Sequence, residues 1–141
     1  MSDTTSISPD LQACLVCDDV RQENTGKFIL IGTFEGLAST KFPFMAPPFC
    51  IFTRWVGGVG NFKQSVALFA PDGITKIQTT PDIPLQFNND LATATIVSRH
   101  ARITFPAPGT YWIEVKLDGD LRLRYPLAVK QVEPPQPRPQ A

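Results

Sequence analysis

The sequence predicts an all-β protein, an immunoglobulin-like two-sheet antiparallel β-sandwich of about 7–9 strands. Three observations predict it. Short runs of alternating apolar and polar residues recur between turn signals along most of the chain. Apolar residues nowhere recur at three-four spacing over the length a helix needs. The segment Pro108-Gly109-Thr110-Tyr111 resembles the tyrosine corner of such sandwiches, whose hydroxyl bonds to backbone a few residues upstream.

The elements follow in order. Residues 1–10 read as a flexible lead. Leu11 to Asp18 alternates loosely, and the turn-rich Glu23 to Gly26 joins it to Lys27 to Phe34, which is rich in β-branched and aromatic residues. That pair is expected to form a hairpin. Pro43 to Pro48 is too proline-dense for a central strand and reads as a connection or a sheet edge. Phe49 to Val56 and Phe62 to Ala70 flank Gly57-Gly58-Val59-Gly60. A hairpin there would set Trp55 opposite Phe62, Ile51 opposite Val66 and Phe49 opposite Leu68, which keeps one face apolar. Its other face would oppose Arg54 to Lys63 and carry Phe52 and Phe69. Pro71-Asp72-Gly73 is a turn and Ile74 to Thr79 a short strand. Thr80 to Asp90 reads as a long connection, and Leu91 to Phe105 as one long or bent strand.

The last hairpin, Phe105 to Val129, contains a conflict. Asp118-Gly119 suits a two-residue turn, yet that turn would set Val115 opposite Arg122 and put charge on the core face. Burying arginine costs far more than a less favoured turn. A three-residue loop or a bulge, with Val115 opposite Leu123 and Ile113 opposite Tyr125, is therefore expected. The outward face then pairs Glu114 with Arg124. The domain spans residues 11–132, and residues 133–141 form a Pro-rich disordered tail.

Composition narrows the function. Thirteen basic residues balance thirteen acidic ones, which supplies neither the basic footprint that nucleic acid requires nor a polybasic membrane anchor. The polar start, MSDTTSISPD, lacks the layout of a signal peptide, and the apolar runs are too short to span a bilayer. Three cysteines, an odd set, fit a reducing compartment. A cytoplasmic location is expected.

Candidate chemistry is sparse. The single histidine, His100, lies between Arg99 and Arg102, whose charges would depress its pKa, and no sequence context activates Cys14, Cys17 or Cys50. Cys14 and Cys17 have the spacing of half a zinc knuckle, with no second half in the sequence. Residues three apart on a strand also point to opposite faces, so buried structural thiols are expected. Asp18, Asp19, Asp72, Asp82, Asp90, Asp118 and Asp120 fall at strand ends, where they could gather calcium or simply stabilise turns. The glycine-rich loop at 57–60 is flanked by strands rather than a helix, so it reads as a turn and not a phosphate cradle. Trp112 should point outward if Tyr111 points in, beside Glu114, Pro126 and, diagonally, Arg124. An outward Trp anchors an interface or stacks on a sugar, unless a connection covers it.

The segments LVCDDVRQENTGKFILIGTFEGL, PPFCIFTRWVGG and FPAPGTYWIEVKLDGDLRLRYPLAV resemble an uncharacterised bacterial family, a domain of unknown function, over Leu11 to Val132. The resemblance implies a compact β-sandwich in a bacterial cytoplasmic protein. It brings no activity, substrate or catalytic residue.

The leading expectation is a non-catalytic interaction or assembly module whose partner is another protein or a second copy. Trp112, Glu114, Arg124, Phe52 and Phe69 are its candidate interaction residues. No catalytic residue, metal or cofactor is expected. The alternatives are a small-ligand or carbohydrate-binding sandwich aided by calcium and, more distantly, an enzyme using His100.

Overall fold

The computed structural model describes residues 5–135. The strands in chain order are β1 (Asp10–Gln22), β2 (Phe28–Thr33), β3 (Gly36–Ser39), β4 (Phe44–Met45), β5 (Phe49–Val56), β6 (Gly60–Phe69), β7 (Lys76–Thr79), β8 (Ile83–Phe87), β9 (Thr93–His100), β10 (Thr104–Phe105), β11 (Gly109–Leu117) and β12 (Asp120–Gln131). Twelve strands replace the expected seven to nine, and no helix occurs among the described residues.

Alternation along each strand divides them into two facing layers. One sheet has the order β2-β1-β5-β9, the other β3-β12-β11-β6-β7, with β8 also on β6. Pairing is antiparallel except for β3, which runs parallel to β12. Val16, Ile51 and Trp55 from the first sheet share one core with Val66, Leu68, Ile113, Val115 and Leu127 from the second. Burying each large apolar side chain contributes roughly 1.5–3 kcal/mol.

The hairpin expected for Phe49–Val56 with Phe62–Ala70 does not form. Strand β5 pairs with β1 and β9, whereas β6 pairs with β11, β7 and β8. The chain crosses from one sheet to the other at Gly57–Gly60. Matching apolar positions in reverse order satisfy two geometries equally: strands side by side, or strands facing across a core. Here the second prevails. Arg54 and Lys63 are consequently not neighbours. Across the core, Gln64 Oε1 accepts from Trp55 Nε1 and from Thr53 Oγ1, each at 2.7 Å.

The conflict in the last hairpin resolves through a bulge. Asp118 and Gly119 adopt left-handed φ of 50° and 84°, as a tight two-residue turn requires. The register then shifts between Val115 and Lys116, which restores Val115 opposite Leu123 and Ile113 opposite Tyr125. Arg122 is left exposed, where it bonds Ser8 Oγ and the Pro9 carbonyl. The tyrosine corner forms as expected, with Tyr111 Oη donating to the Ala107 carbonyl at 2.6 Å. Gly109 serves close packing, because a Cβ there would sit 2.8 Å from Pro71 Cγ.

Further expectations change in detail. The connection Thr80 to Asp90 contains β8, whose Leu85 and Phe87 are buried. The long strand Leu91 to Phe105 breaks near Arg102, at φ 59°, into β9 and β10. Pro43 to Pro48 is a connection whose Phe44–Met45 pairs with β10 at an edge. The lead is partly anchored: Ile7 and Val59 exchange two backbone hydrogen bonds, and Pro9 is buried. Positions 1–4 and 136–141, including most of the Pro-rich tail, lie outside the described residues.

Candidate functional site

The outer faces carry every candidate interaction residue, on opposite sides of the sandwich. Trp112, Glu114, Arg124 and Phe69 lie on the outer face of the larger sheet, with Trp112 opposite Phe69 on β6 and Pro126 on β12. Phe69 is buried. The Arg124 guanidinium lies 4.5 Å from the Trp112 ring centroid and 3.5 Å from Glu114. A solvent-screened pair of this kind contributes about 0.2–1 kcal/mol. Arg124 therefore covers one face of Trp112. Half-buried Trp112 has one face occupied by a cation.

Phe52 does not belong with that group. It lies on the outer face of the smaller sheet and is only 4% exposed. Its cover is the β1–β2 hairpin, whose Phe28 meets it edge-on at 5.7 Å. Cys17, Val20, Cys50 and Phe52 form a second small core there, flanked by Leu30 and Val97. Cys14 faces the other way, into the main core, with its Sγ 3.5 Å from Tyr125 Oη. The expected opposition of Cys14 and Cys17 holds, and burial raises both thiol pKa values.

The same hairpin exposes apolar side chains. Ile29 and Ile31 of β2 are 43% and 44% exposed, and Leu15 of β1 is 46% exposed. Ile31 lies opposite Asp19, and Ile29 opposite Arg21. Strand β2 ends its sheet, so the backbone groups on its outer side have no strand partner among the described residues.

Asp19 holds the hairpin to β9. It accepts from Arg21 Nε at 2.7 Å and from Arg99 Nη1 at 3.0 Å, and these bonds lower its carboxyl pKa to about 2. Asp72 accepts from the Thr75 hydroxyl and from the backbone N–H groups of Thr75 and Ile74, which lowers its pKa. Asp118 Oδ1 accepts from the Lys63 amide. These carboxylates stabilise turns or bind arginine, and no three His, Cys, Asp or Glu gather among the described residues.

His100 is buried and stacked on Phe49 at 5.3 Å, with Nδ1 2.5 Å from Gln78 Oε1 across the two sheets. Its pKa is lowered by burial rather than by its arginine neighbours. The neutral ring is favoured in the folded state, so the unfolded chain binds the proton first on acidification. Stability is complete above the unfolded pKa of about 6.5 and falls as pH drops from there toward the lower folded value. Urea unfolding at pH 7.5 and pH 5.5 should show this loss in the native chain and a smaller one in His100→Gln. An equal loss in both would contradict it.

A family model described as "Family of unknown function (DUF6941)" matches residues 12–130, most of the chain. The protein belongs to this family. The match begins two residues after the start of β1 and ends one residue before the end of β12, so DUF6941 takes in both sheets. No curated protein matches the chain. No helix is long and apolar enough to cross a membrane among the described residues.

Sequence reasoning placed Trp112, Glu114 and Arg124 together because alternation and hairpin register suffice for that. It did not single out the β2 edge. The signal was present in the run KFILIGTFE, which carries charge only at its ends.

Proposed function

We propose that this DUF6941 domain is a non-catalytic assembly module that pairs with a second copy of itself through the free edge of β2. One observation carries the reading: the edge is apolar, without a strand partner among the described residues, and complementary to itself in charge. Centred on Ile31, an antiparallel copy sets Lys27 against Glu35 of the second copy, Phe28 against its Phe34, and Ile29 against its Thr33. Leu30 then meets Gly32 of the second copy, small against large. Lys27 and Glu35 are both exposed, as are Ile29 and Ile31. Unlike charges facing across an interface fix register, and like charges there cost several kcal/mol. The pairing would extend the smaller sheet continuously through both copies.

Gly32 sets the competing outcome. It adopts φ 68°, and a Cβ there would collide with the Asp18 carboxylate. A kink of this kind is one way in which edges refuse a partner. Sedimentation velocity over a wide concentration range distinguishes the two. The native chain should shift from monomer to dimer, and Ile31→Lys, a change at an exposed side chain, should weaken association roughly a hundredfold or more. A native chain that stays monomeric throughout overturns the reading.

The outer face around Trp112 ranks below this edge as an interface, because Arg124 covers the ring. A sugar would have to displace that guanidinium. The bacterial cytoplasm is the setting that goes with the proposal, supported by three free cysteines.

A further inference from the structure

Cys17 and Cys50 lie directly opposite each other on β1 and β5. Opposed residues on antiparallel strands have Cα atoms about 4.5–5.5 Å apart, within the span that a disulfide bridges. Both side chains belong to the second small core, so both point to the same side of the sheet. Both are free thiols. Their surroundings differ. Arg99 Nη1 contacts Cys50 Sγ at 3.3 Å, and the same guanidinium is held by Asp19 at 3.0 Å and by the Val20 carbonyl at 3.1 Å. A cavity of about 490 Å³, lined by Cys50, Arg99, Asp18 and Asp19 among others, opens on this corner.

We propose that Cys17 and Cys50 are a reversible oxidation site for small peroxides, with Cys50 as the attacking sulfur and Cys17 as the resolving one. Arg99 places a fixed positive charge 3.3 Å from Cys50 Sγ, where it can stabilise the hydroxide that departs when this sulfur is oxidised. Cys17 is held as the thiol chiefly by burial, and the carboxylates of Asp18 and Asp19 raise its pKa further.

The chemistry balances in two steps. The Cys50 sulfur attacks one oxygen of hydrogen peroxide, the O–O bond breaks, and the departing hydroxide takes the Cys50 proton as water. Cys50 is now a sulfenic acid. The Cys17 sulfur then attacks the Cys50 sulfur, the S–O bond breaks, and hydroxide leaves with the Cys17 proton as a second water. Two thiols are oxidised to one disulfide, and one peroxide is reduced to two waters. A dithiol reductant reverses the result by exchange.

The link would join β1 to β5 and so tie the hairpin that carries the β2 edge to the rest of its sheet. The site stands on its own geometry and does not depend on pairing at that edge.

The test uses the intact, reduced chain. It is treated with a small excess of hydrogen peroxide, its remaining thiols are alkylated after unfolding, and its peptides are mapped by mass spectrometry. The expected product is a Cys17–Cys50 linked peptide pair with Cys14 alkylated, and dithiothreitol should restore both thiols. In Cys17→Ser, a dimedone adduct should accumulate on Cys50. Arg99→Gln should slow oxidation without changing which sulfurs join. Cys17 and Cys50 both alkylated after peroxide, or a disulfide that includes Cys14, overturns the proposal. Dimedone labelling of Cys17 in Cys50→Ser at the rate seen for Cys50 overturns the assigned order.

Discussion

Trp55→Ala should destabilise the fold by about 3–5 kcal/mol, the range for removing a large buried aromatic side chain. Trp55 is fully buried where the two sheets face each other. The substitution leaves a cavity between the layers and removes one of the two donors to Gln64 Oε1. Total stability for a domain of this kind is about 5–15 kcal/mol, so the variant retains only part of it. Trp55→Phe should cost clearly less, because the ring fills most of the space. Gln64→Leu probes the polar part, leaving Trp55 Nε1 without its partner and Thr53 with only a 3.4 Å contact to the Ile96 carbonyl. An orphaned buried donor costs about 1–3 kcal/mol. Gln64 Nε2 already lacks a partner, so its removal offsets part of that loss. Urea unfolding of Trp55→Phe, Gln64→Leu and the double variant should reveal a coupling of about 0.5–3 kcal/mol. A loss below about 1 kcal/mol for Trp55→Ala would contradict its central position.

Tyr111→Ala should cost a similar amount, about 3–5 kcal/mol. Its ring is 1% exposed and meets Phe105 edge-on at 4.8 Å. Phe105 in turn stacks with Phe44, which ties the corner to the β4–β10 edge. Tyr111→Phe keeps this packing and loses only the bond to Ala107. Ala107 is exposed, so its carbonyl recovers water, and the cost should stay at about 0.5–1.5 kcal/mol. Thermal unfolding of the three chains separates packing from hydrogen bonding. Equal losses for the two variants would assign the corner to its hydroxyl instead.

Alternation made much of the fold legible. It fixed the inner and outer faces of β11 and β12, and the conflict over Arg122 pointed to the irregularity that appears as the bulge. It could not say whether β5 and β6 lie beside or across from each other, because Phe49, Ile51 and Trp55 match Leu68, Val66 and Phe62 in both arrangements. Strand β8 was hidden by Pro84. Proline is tolerated there because, among the described residues, β8 pairs with β6 alone, so the residue sits on an edge. Strand β3, Gly36-Leu37-Ala38-Ser39, has one large apolar residue among three small ones, which gives little strand signal. Its parallel pairing with β12 is a long-range choice that no local pattern records.

The candidate site was legible only in part. Trp112, Glu114, Arg124 and Phe69 share a face, as register alone requires. Phe52 groups with Phe69 only if β5 and β6 form one hairpin, and the separation of β5 from β6 parts them. The contact of His100 with Gln78 and that of Arg99 with Asp19 join elements far apart in sequence. Local spacing carries no sign of either.

Disulfide trapping at Ile31 tests the proposed assembly most directly. In an antiparallel pair centred on this residue, Ile31→Cys lies opposite its own counterpart, whereas Ile29→Cys lies opposite Thr33. Under mild oxidation, Ile31→Cys should give a covalent dimer rapidly on a non-reducing gel, well ahead of Ile29→Cys and of the native chain with its own three thiols. Equal, slow cross-linking of all three chains would contradict pairing at the β2 edge.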